Sequence, residues 1–413
     1  MKVVHVSAFE RQGGAAIAAQ RLHSASRGAG IDSRLLVQFG AGDSVAAVAP
    51  RGKWAKAFAL LGDSLEPLPL AAYRQRTGDV FSSNWLPSGA LRRVREMQPD
   101  LVHLHWLGAG ALSVGQLRHL GVPIVWTLHD MWPITGGCHY AGSCAGYVDQ
   151  CGHCPQLGSH RGGDLSRWTM RRKHRAWRAL ALTAVAPSQW LADSARRSSL
   201  FRDRDVRVIR NPLDLERWRP VDAQFARRVL GLPDGPVLLF AAARGLMAPY
   251  KGGECLLDVL RALHASGQRF TLALMGGGET VHAALTGFAV HHLGNFHDEV
   301  SRVLAYSAAD LTVHVAEQDN LPNTIAESMA CGTPVAAFRV GGVPEMIGDR
   351  SDGILVAPGG GAAMADALAW YLTDADRAAM SAAARERAEA EYAQDVVARA
   401  YADLYVELLR DAR

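Results

Sequence analysis

A chain of 413 residues is too long for one ordinary core; domains run to about 100–200 residues, so two or three units are expected. Its 49% hydrophobic and 20% charged residues are those of a globular protein and exclude a largely disordered one. A net charge of +4 is too small to imply nucleic acid as a partner, and no run of about 18 apolar residues marks a membrane span.

The chain opens with MKVVHVSAF, one lysine and then a strand-like alternation too short for the core of a secretory signal. The expectation is a cytoplasmic protein, where six cysteines stay reduced. Val3–Val6, Leu101–His105, Ile124–Leu128 and Thr183–Ala186 read as strands in the first half. Val237–Ala241, Thr271–Met275, Leu311–Val315 and Pro334–Phe338 read as strands in the second. Amphipathic runs such as Ala16–Gly28 and Gly252–Ser266 lie between them. Strand–helix alternation predicts α/β architecture with parallel sheets. The pattern starts afresh in each half, which predicts two Rossmann-like domains. The boundary is expected at the proline-containing stretch Asn211–Val221, giving domains 1–212 and 213–390. The Ala/Arg/Glu-rich run Ala375–Leu409 reads as one or two long helices, the last (391–413) a C-terminal helix.

Motifs follow in chain order. Gly13-Gly14-Ala15 sits between the first strand and the first helix. Small residues there let backbone N–H groups approach a phosphate; a plain tight turn is the alternative. The full GxGxxG fingerprint is absent, which argues against NAD. His129-Asp130 stands at the end of a strand, where functional groups of open parallel sheets gather. Such a histidine hydrogen-bonds a ligand or assists proton transfer, or is simply satisfied by Asp130 or backbone. His103 and His105, on the preceding strand, read as structural. Cys138, Cys144, Cys151 and Cys154 share one loop, CHYAGSCAGYVDQCGHCP. Four thiols closing on Cys-x2-Cys suit a tetrahedral structural zinc, with His139 and His153 as substitute ligands; a disulfide or free thiols are the alternatives. Residues 167–178, RWTMRRKHRAWR, place Arg171, Arg175 and Arg178 on one helical face with tryptophans nearby. Such a face can contact an anionic membrane, or be merely solvated.

In the second half, Arg244 and Lys251 precede Gly252-Gly253 at a strand-to-helix loop. Two cations there can hold a diphosphate as charge builds on it; two solvated surface charges are the alternative. The richest string is AEQDNLPNTIAESMACGTPVAAFRVGGVPE, residues 316–345. Asp319 and Glu327 flank Pro322, with Glu327 expected to open a helix that ends at Gly332. Asn320, Leu321, Pro322, Asn323 and Thr324 would turn backbone amides toward a sugar phosphate. Two Asp-x-Asp sequences, at 203–205 and 374–376, are set aside as metal motifs because neither follows a strand.

The 316–345 string resembles the C-domain signature of family 4 glycosyltransferases of the GT-B fold. VAPSQWL (185–191), NPLD (211–214), YSAADLTV (306–313), Gly341-Gly342 and GILVAPG (353–359) agree in order. GGAAIAAQRLH and VWTLHDMWPITGGCHY resemble a subgroup tied to bacterial exopolysaccharide and colanic-acid-like synthesis. The resemblance implies two domains facing across a cleft, with the C-terminal helices packing back on the N-terminal domain. It implies a retaining transferase that moves a sugar from a nucleoside diphosphate sugar to a carbohydrate or lipid-linked acceptor, without a catalytic cofactor. Glu327 matches the ribose-binding Glu, and Asp319 matches the sugar-facing first Glu, shortened by one methylene. Lys251 and Arg244 match the phosphate cations, the latter at a spacing one longer than usual. Gly13 and Gly14 match the phosphate-facing loop, and His129 the histidine near donor sugar and acceptor. Asn211-Pro212 replaces the usual Asn-Gly hinge. The rival readings are a nucleotide-sugar epimerase on the same fold and a non-catalytic sugar-binding scaffold.

Overall fold

The computed structural model describes residues 1–413 except 41–46, 50–51, 243–251, 277–284, 286–287, 289 and 412–413. The chain divides into two compact units, Met1–Pro212 with Gln394–Arg413, and Leu213–Ala393.

Among the described residues the first unit holds seven strands: β1 (Lys2–Phe9), β2 (Asp32–Phe39), β3 (Ala47–Val48), β4 (Leu101–Leu104), β5 (Ile124–Thr127), β6 (Leu182–Ala186) and β7 (Val206–Val208). Their order in the sheet is β3-β2-β1-β4-β5-β6-β7, and the pairings are parallel. β4, β5 and β6 are buried along their whole length. A parallel sheet covered on both faces needs apolar side chains on both, which is why these strands read as unbroken runs. One face carries the larger core, from Val4 and Val102 through Trp126 to Trp177. The other is packed by Val3, Leu101, Val125, Val185, Leu22, Tyr401 and Tyr405.

The second unit holds six described strands: β8 (Val237–Ala242), β9 (Thr271–Gly276), β10 (Val290–Gly294), β11 (Leu311–His314), β12 (Val335–Phe338) and β13 (Gly353–Val356). They run parallel in the order β10-β9-β8-β11-β12-β13, between two apolar layers. Five strands have no expectation from sequence. β2 begins Asp-Ser-Arg, β3 is two residues long and β7 three, β10 is a half-exposed edge carrying two histidines, and β13 is an edge strand although all four of its residues are buried.

The C-terminal run forms two helices, Arg377–Tyr392 and Gln394–Asp411. The first belongs to the second unit and the second to the first unit, so the change of unit falls at Ala393 and a single helix joins the N-terminal sheet. Asp374 and Asp376 stand between helices, and the Asp376 carboxylate caps the next one by accepting from the Ala379 N–H at 3.0 Å. Gly360 and Gly361 lead directly into the helix Gly361–Thr373.

The last helix is tied to the sheet by polar contacts inside its apolar face. The Tyr405 hydroxyl lies 2.6 Å from His103 Nδ1, and the Tyr401 hydroxyl 2.9 Å from Thr127 Oγ1. His103 Nε2 lies 2.7 Å from the same Thr127 oxygen. All four groups are buried. Tyr405→Phe strips His103 of one partner while keeping the ring, and a buried polar atom left unpaired costs about 1–3 kcal/mol. Urea unfolding of the first unit is expected to shift to a lower midpoint by that amount, with the second unit's transition unmoved.

Candidate active site

Each unit contributes candidate residues. In the second unit the chain leaves β11 at His314, crosses 315–322 and enters the helix Asn323–Ala330. Two glycines allow this crossing to be closely packed. At Gly252 (φ +73°) a Cβ would sit 1.8 Å from the Val315 carbonyl oxygen, and at Gly341 (φ +53°) 1.8 Å from that of Asp319. Only a residue without a side chain fits such an approach, and both backbones are left-handed. Gly252 caps the helix Gly253–Ala265, whose first turn is thereby brought beside the end of β11. Arg244 and Lys251 lie outside the described residues.

Asp319 is partly buried. Its Oδ1 accepts the Asn320 N–H at 2.9 Å, and His314 Nε2 lies 3.8 Å from Oδ2. Asn320 and Leu321 are buried, whereas Asn323 and Thr324 are half-exposed at the start of a helix that no side chain caps. The first-turn N–H groups of such a helix favour an anion. Glu327 does not open the helix; it lies one turn inside and is 1% exposed. Both carboxylate oxygens lie 3.2 Å from Arg302 Nη1, and the Tyr306 hydroxyl donates to Oε2 at 3.3 Å. The Arg302 guanidinium lies over the Trp218 ring, 4.9 Å from its centroid. Arg302 and Tyr306 are missing from the sequence reading. Their one-turn spacing on the helix Glu299–Ala308 was the available signal.

In the first unit Gly13 (φ +87°) caps the helix Gly14–Gly28, and no side chain completes the cap. A Cβ on Gly13 would meet nothing within 4 Å, so it is the backbone angle that selects glycine here. His129 lies two residues past the end of β5 and is partly buried. Its Nε2 lies 3.0 Å from His105 Nδ1. Desolvation brings its pKa down to about 4 against the pull of Asp130, so the ring is neutral at ordinary pH. Asp130 itself is committed elsewhere. Its Oδ2 lies 2.7 Å from His139 Nδ1 and accepts from Trp106 Nε1 at 3.0 Å, and Oδ1 accepts the Trp132 N–H at 2.8 Å. Ser82 Oγ completes the set, 3.0 Å from His139 Nε2. His139 is therefore an Asp130 partner and not a spare thiol substitute. His105, read as merely structural, is the side chain against which His129 rests.

Of the described residues, His5, His103 and His105 alone bring three potential ligand atoms within 4.8 Å of one another. Their rings stack, with interplanar angles of 29° and 16° for His103 against His5 and His105. Lone pairs lying in parallel ring planes do not converge on one ion. The four loop cysteines are free thiols and form no such set. Burial pushes the Cys138 thiol up to about 12 and Cys151 to about 11. Backbone N–H groups nonetheless reach the sulfurs: Gly146 to Cys144 at 3.4 Å, Gly136 to Cys151, and Gln156 and Leu157 to Cys154. Lys173 beneath this loop is wholly buried; its ammonium donates to the carbonyls of Trp132 and of Thr135, the latter at 3.0 Å. On the same helix, Leu165–Trp177, Trp168, Arg171 and Arg175 are exposed, as is Arg178 at its C-cap.

Comparison with known proteins agrees with this architecture. Residues 12–217 match the family described as Glycosyltransferase Family 4, and residues 235–374 that described as Glycosyl transferases group 1. A D-inositol 3-phosphate glycosyltransferase of Saccharomonospora viridis is 30% identical over 73% of this chain and 69% of its own. WcaC of Escherichia coli, a glycosyl transferase named for colanic acid biosynthesis, is 26% identical over 61% of this chain and 63% of its own. Among solved structures, sucrose-phosphate synthase from Thermosynechococcus elongatus superposes with a TM-score of 0.70 at 20% identity, covering 100% of both chains. Anabaena HepE, solved with UDP-glucose, gives 0.68 at 17% identity, covering 98% of this chain and 100% of its own. The fold is GT-B, and the chain belongs to family 4 of the glycosyltransferases.

Two expectations follow. Arg302→Ala leaves the Glu327 carboxylate buried without its cation; removing one partner of a buried pair costs about 3–5 kcal/mol, read as a lower urea midpoint of the second unit. Separately, His5, His103 and His105 have pKa values well below the ordinary histidine value because they are desolvated. Unfolded, they take up protons below about pH 6.5. The unfolded state then binds more protons, so stability is complete above that pH and falls below it, by about 1.4 kcal/mol per pH unit for each histidine. Urea midpoints of the first unit at pH 7.5 and pH 5.5 check this, and equal midpoints contradict it.

Proposed function

We propose that this family 4 enzyme transfers a sugar, with retention of configuration, from a nucleoside diphosphate sugar to a carbohydrate or lipid-linked acceptor in cell-surface polysaccharide synthesis. The observation that carries the reading is the 315–327 segment. It places a carboxylate loop, an uncapped helix N-terminus and the Glu327–Arg302 pair in sequence at the carboxyl end of a parallel sheet, where open α/β folds bind nucleotides. Asp319 would face the donor sugar, with the amides of Asn320 to Thr324 toward sugar and phosphate. Glu327 would accept ribose hydroxyls, its carboxylate held in place by Arg302. Arg244 and Lys251 would neutralise the departing diphosphate. Gly13-Gly14 and His129 would serve from the acceptor-side domain. Catalysis of this kind is electrostatic and positional. Retention and the polysaccharide role rest on the sequence resemblance and on relatives such as WcaC. The donor class is supported by the UDP and UDP-glucose bound to HepE.

Two further roles belong to this reading. A structural zinc would be held by Cys138, Cys144, Cys151 and Cys154. N–H groups aimed at sulfur stabilise thiolate over thiol, and Lys173, whose pKa burial lowers to about 7 against the pull of Cys138 and Cys151, would as an ammonium offset the negative charge of a tetrathiolate site. The exposed strip Trp168, Arg171, Arg175 and Arg178 would meet anionic lipid headgroups near a lipid-linked acceptor.

Thermal shift with UDP-, GDP- and dTDP-sugars tests the donor site. One donor is expected to raise the wild-type midpoint, equivalent to about 2.7 kcal/mol at a hundred times its Kd, with or without EDTA. Glu327→Gln should abolish the shift; a folded wild type that no donor stabilises would sink the reading. Elemental analysis of protein purified without added metal should find one zinc per chain, lost in Cys151→Ser. Metal-free wild type with four titratable loop thiols would remove the zinc.

A further inference from the structure

A column of histidines runs through the covered face of the first sheet. His5 on β1 and His103 on β4 are register partners in adjacent parallel strands. Side chains two residues apart on a strand share a face, so His105 follows His103, and His129 follows Thr127. Within this column three imidazoles are joined in series. His5 Nδ1 lies 3.0 Å from His105 Nε2, and His105 Nδ1 lies 3.0 Å from His129 Nε2. The joined rings are nearly coplanar in orientation, at 19° and 22°. His103 stands outside the series, since its two nitrogens meet the Tyr405 and Thr127 hydroxyls.

All three rings of the series are neutral, because burial disfavours their charged forms. Each neutral imidazole has one N–H and one bare nitrogen, so each N···N contact holds one proton and the series runs in one of two directions. His129 can donate to His105 and His105 to His5; the proton of His5 then resides on Nε2. Alternatively His5 donates to His105 and His105 to His129, leaving His5 Nε2 bare. His5 Nε2 is buried and has no hydrogen-bond partner. The His23 ring, edge-on to that of His5 with centroids 5.9 Å apart, has its Nδ1 taken up by Ser33 Oγ at 2.7 Å. An orphaned buried N–H is rarer than an under-used acceptor, which selects the second direction.

We infer that His5 and His105 are positioning residues that hold His129 in the Nδ1–H tautomer, with Nε2 occupied as an acceptor, so that His129 serves the sugar-transfer site as a neutral hydrogen-bond donor and not as a general base. The two functions open to this histidine are thereby separated by a residue two strands away. To act as a base at Nδ1, His129 would have to lose that proton outward. Both inner protons would shift one position toward His129, and a new proton would have to reach His5 Nε2 in the core. The tautomer assignment stands on the hydrogen-bond geometry and on the neutrality that burial imposes; its catalytic meaning rests on the proposed glycosyl-transfer site.

The test is a long-range proton–nitrogen NMR spectrum of full-length protein with 15N-labelled histidine, His129 being assigned by its loss in His129→Asn. The expected result is a protonated, pyrrole-type signal for His129 Nδ1 and a bare, pyridine-type signal for Nε2, constant from pH 6 to 8. In His5→Phe, which removes the first donor of the series, His129 should move toward a mixture of tautomers. A wild-type His129 protonated at Nε2, or a tautomer mixture in wild type, overturns the inference without any variant having to fold. A folded His5→Phe protein with an unchanged His129 pattern overturns it too. Donor-sugar binding does not enter the readout, so a protein that transfers no sugar would refute the site assignment and leave the tautomer result standing.

Discussion

A parallel sheet buried on both faces leaves no water for any polar side chain that points from it. In the first unit this constraint falls on His5, His103, His105 and Thr127, all within 2% of complete burial. Their nitrogens and hydroxyls are met almost entirely by one another and by Tyr401 and Tyr405. The last helix is thus more than an apolar cover. It supplies hydroxyls to His103 and Thr127, without which the middle of the sheet would hold an unpaired imidazole nitrogen, and this links the last helix to the strand that leads to His129.

The second unit meets the same constraint by close backbone approach. The loop after β11 carries a carboxylate and polar amides, and it is packed between a helix start at Gly252 and the Gly341-Gly342 turn. A Cβ at Gly252 or Gly341 would lie within 1.8 Å of a carbonyl oxygen of that loop. Glu327, inside the following helix, is reached from the neighbouring helix by Arg302 and Tyr306. Arg302 in turn rests on Trp218. The setting of Glu327 therefore depends on supporting residues that lie well apart from the signature string.

The unbroken strands β4, β5, β6, β8, β9, β11 and β12 were legible because full burial writes itself as an apolar run. So was the loop of Asp319, because turn residues and a helix start follow it in order. β2, β3, β7 and β10 were not, since mixed or very short edge strands lack a distinct period; β13, buried along its length, was noted only inside the GILVAPG motif. Glu327 was placed at the head of its helix because the pattern around Pro322 marks a helix start but not its first residue. Asp130 was one alternative partner for its chain neighbour His129, whereas it binds His139 nine residues on; adjacent residues on a chain leaving a strand point to opposite sides.

The sequence by itself determined the class of the fold, the two-part organisation and the family, because these rest on local periodicity and on contiguous motifs whose residues act near one another. Only the tertiary structure decided which partners the buried polar groups have. His105 with His129, Arg302 with Glu327 and Tyr405 with His103 are separated by 24, 25 and 302 residues. No local pattern encodes such pairs, because each is chosen by which strand or helix is packed alongside and by the high cost of leaving a polar atom unpaired in the space between.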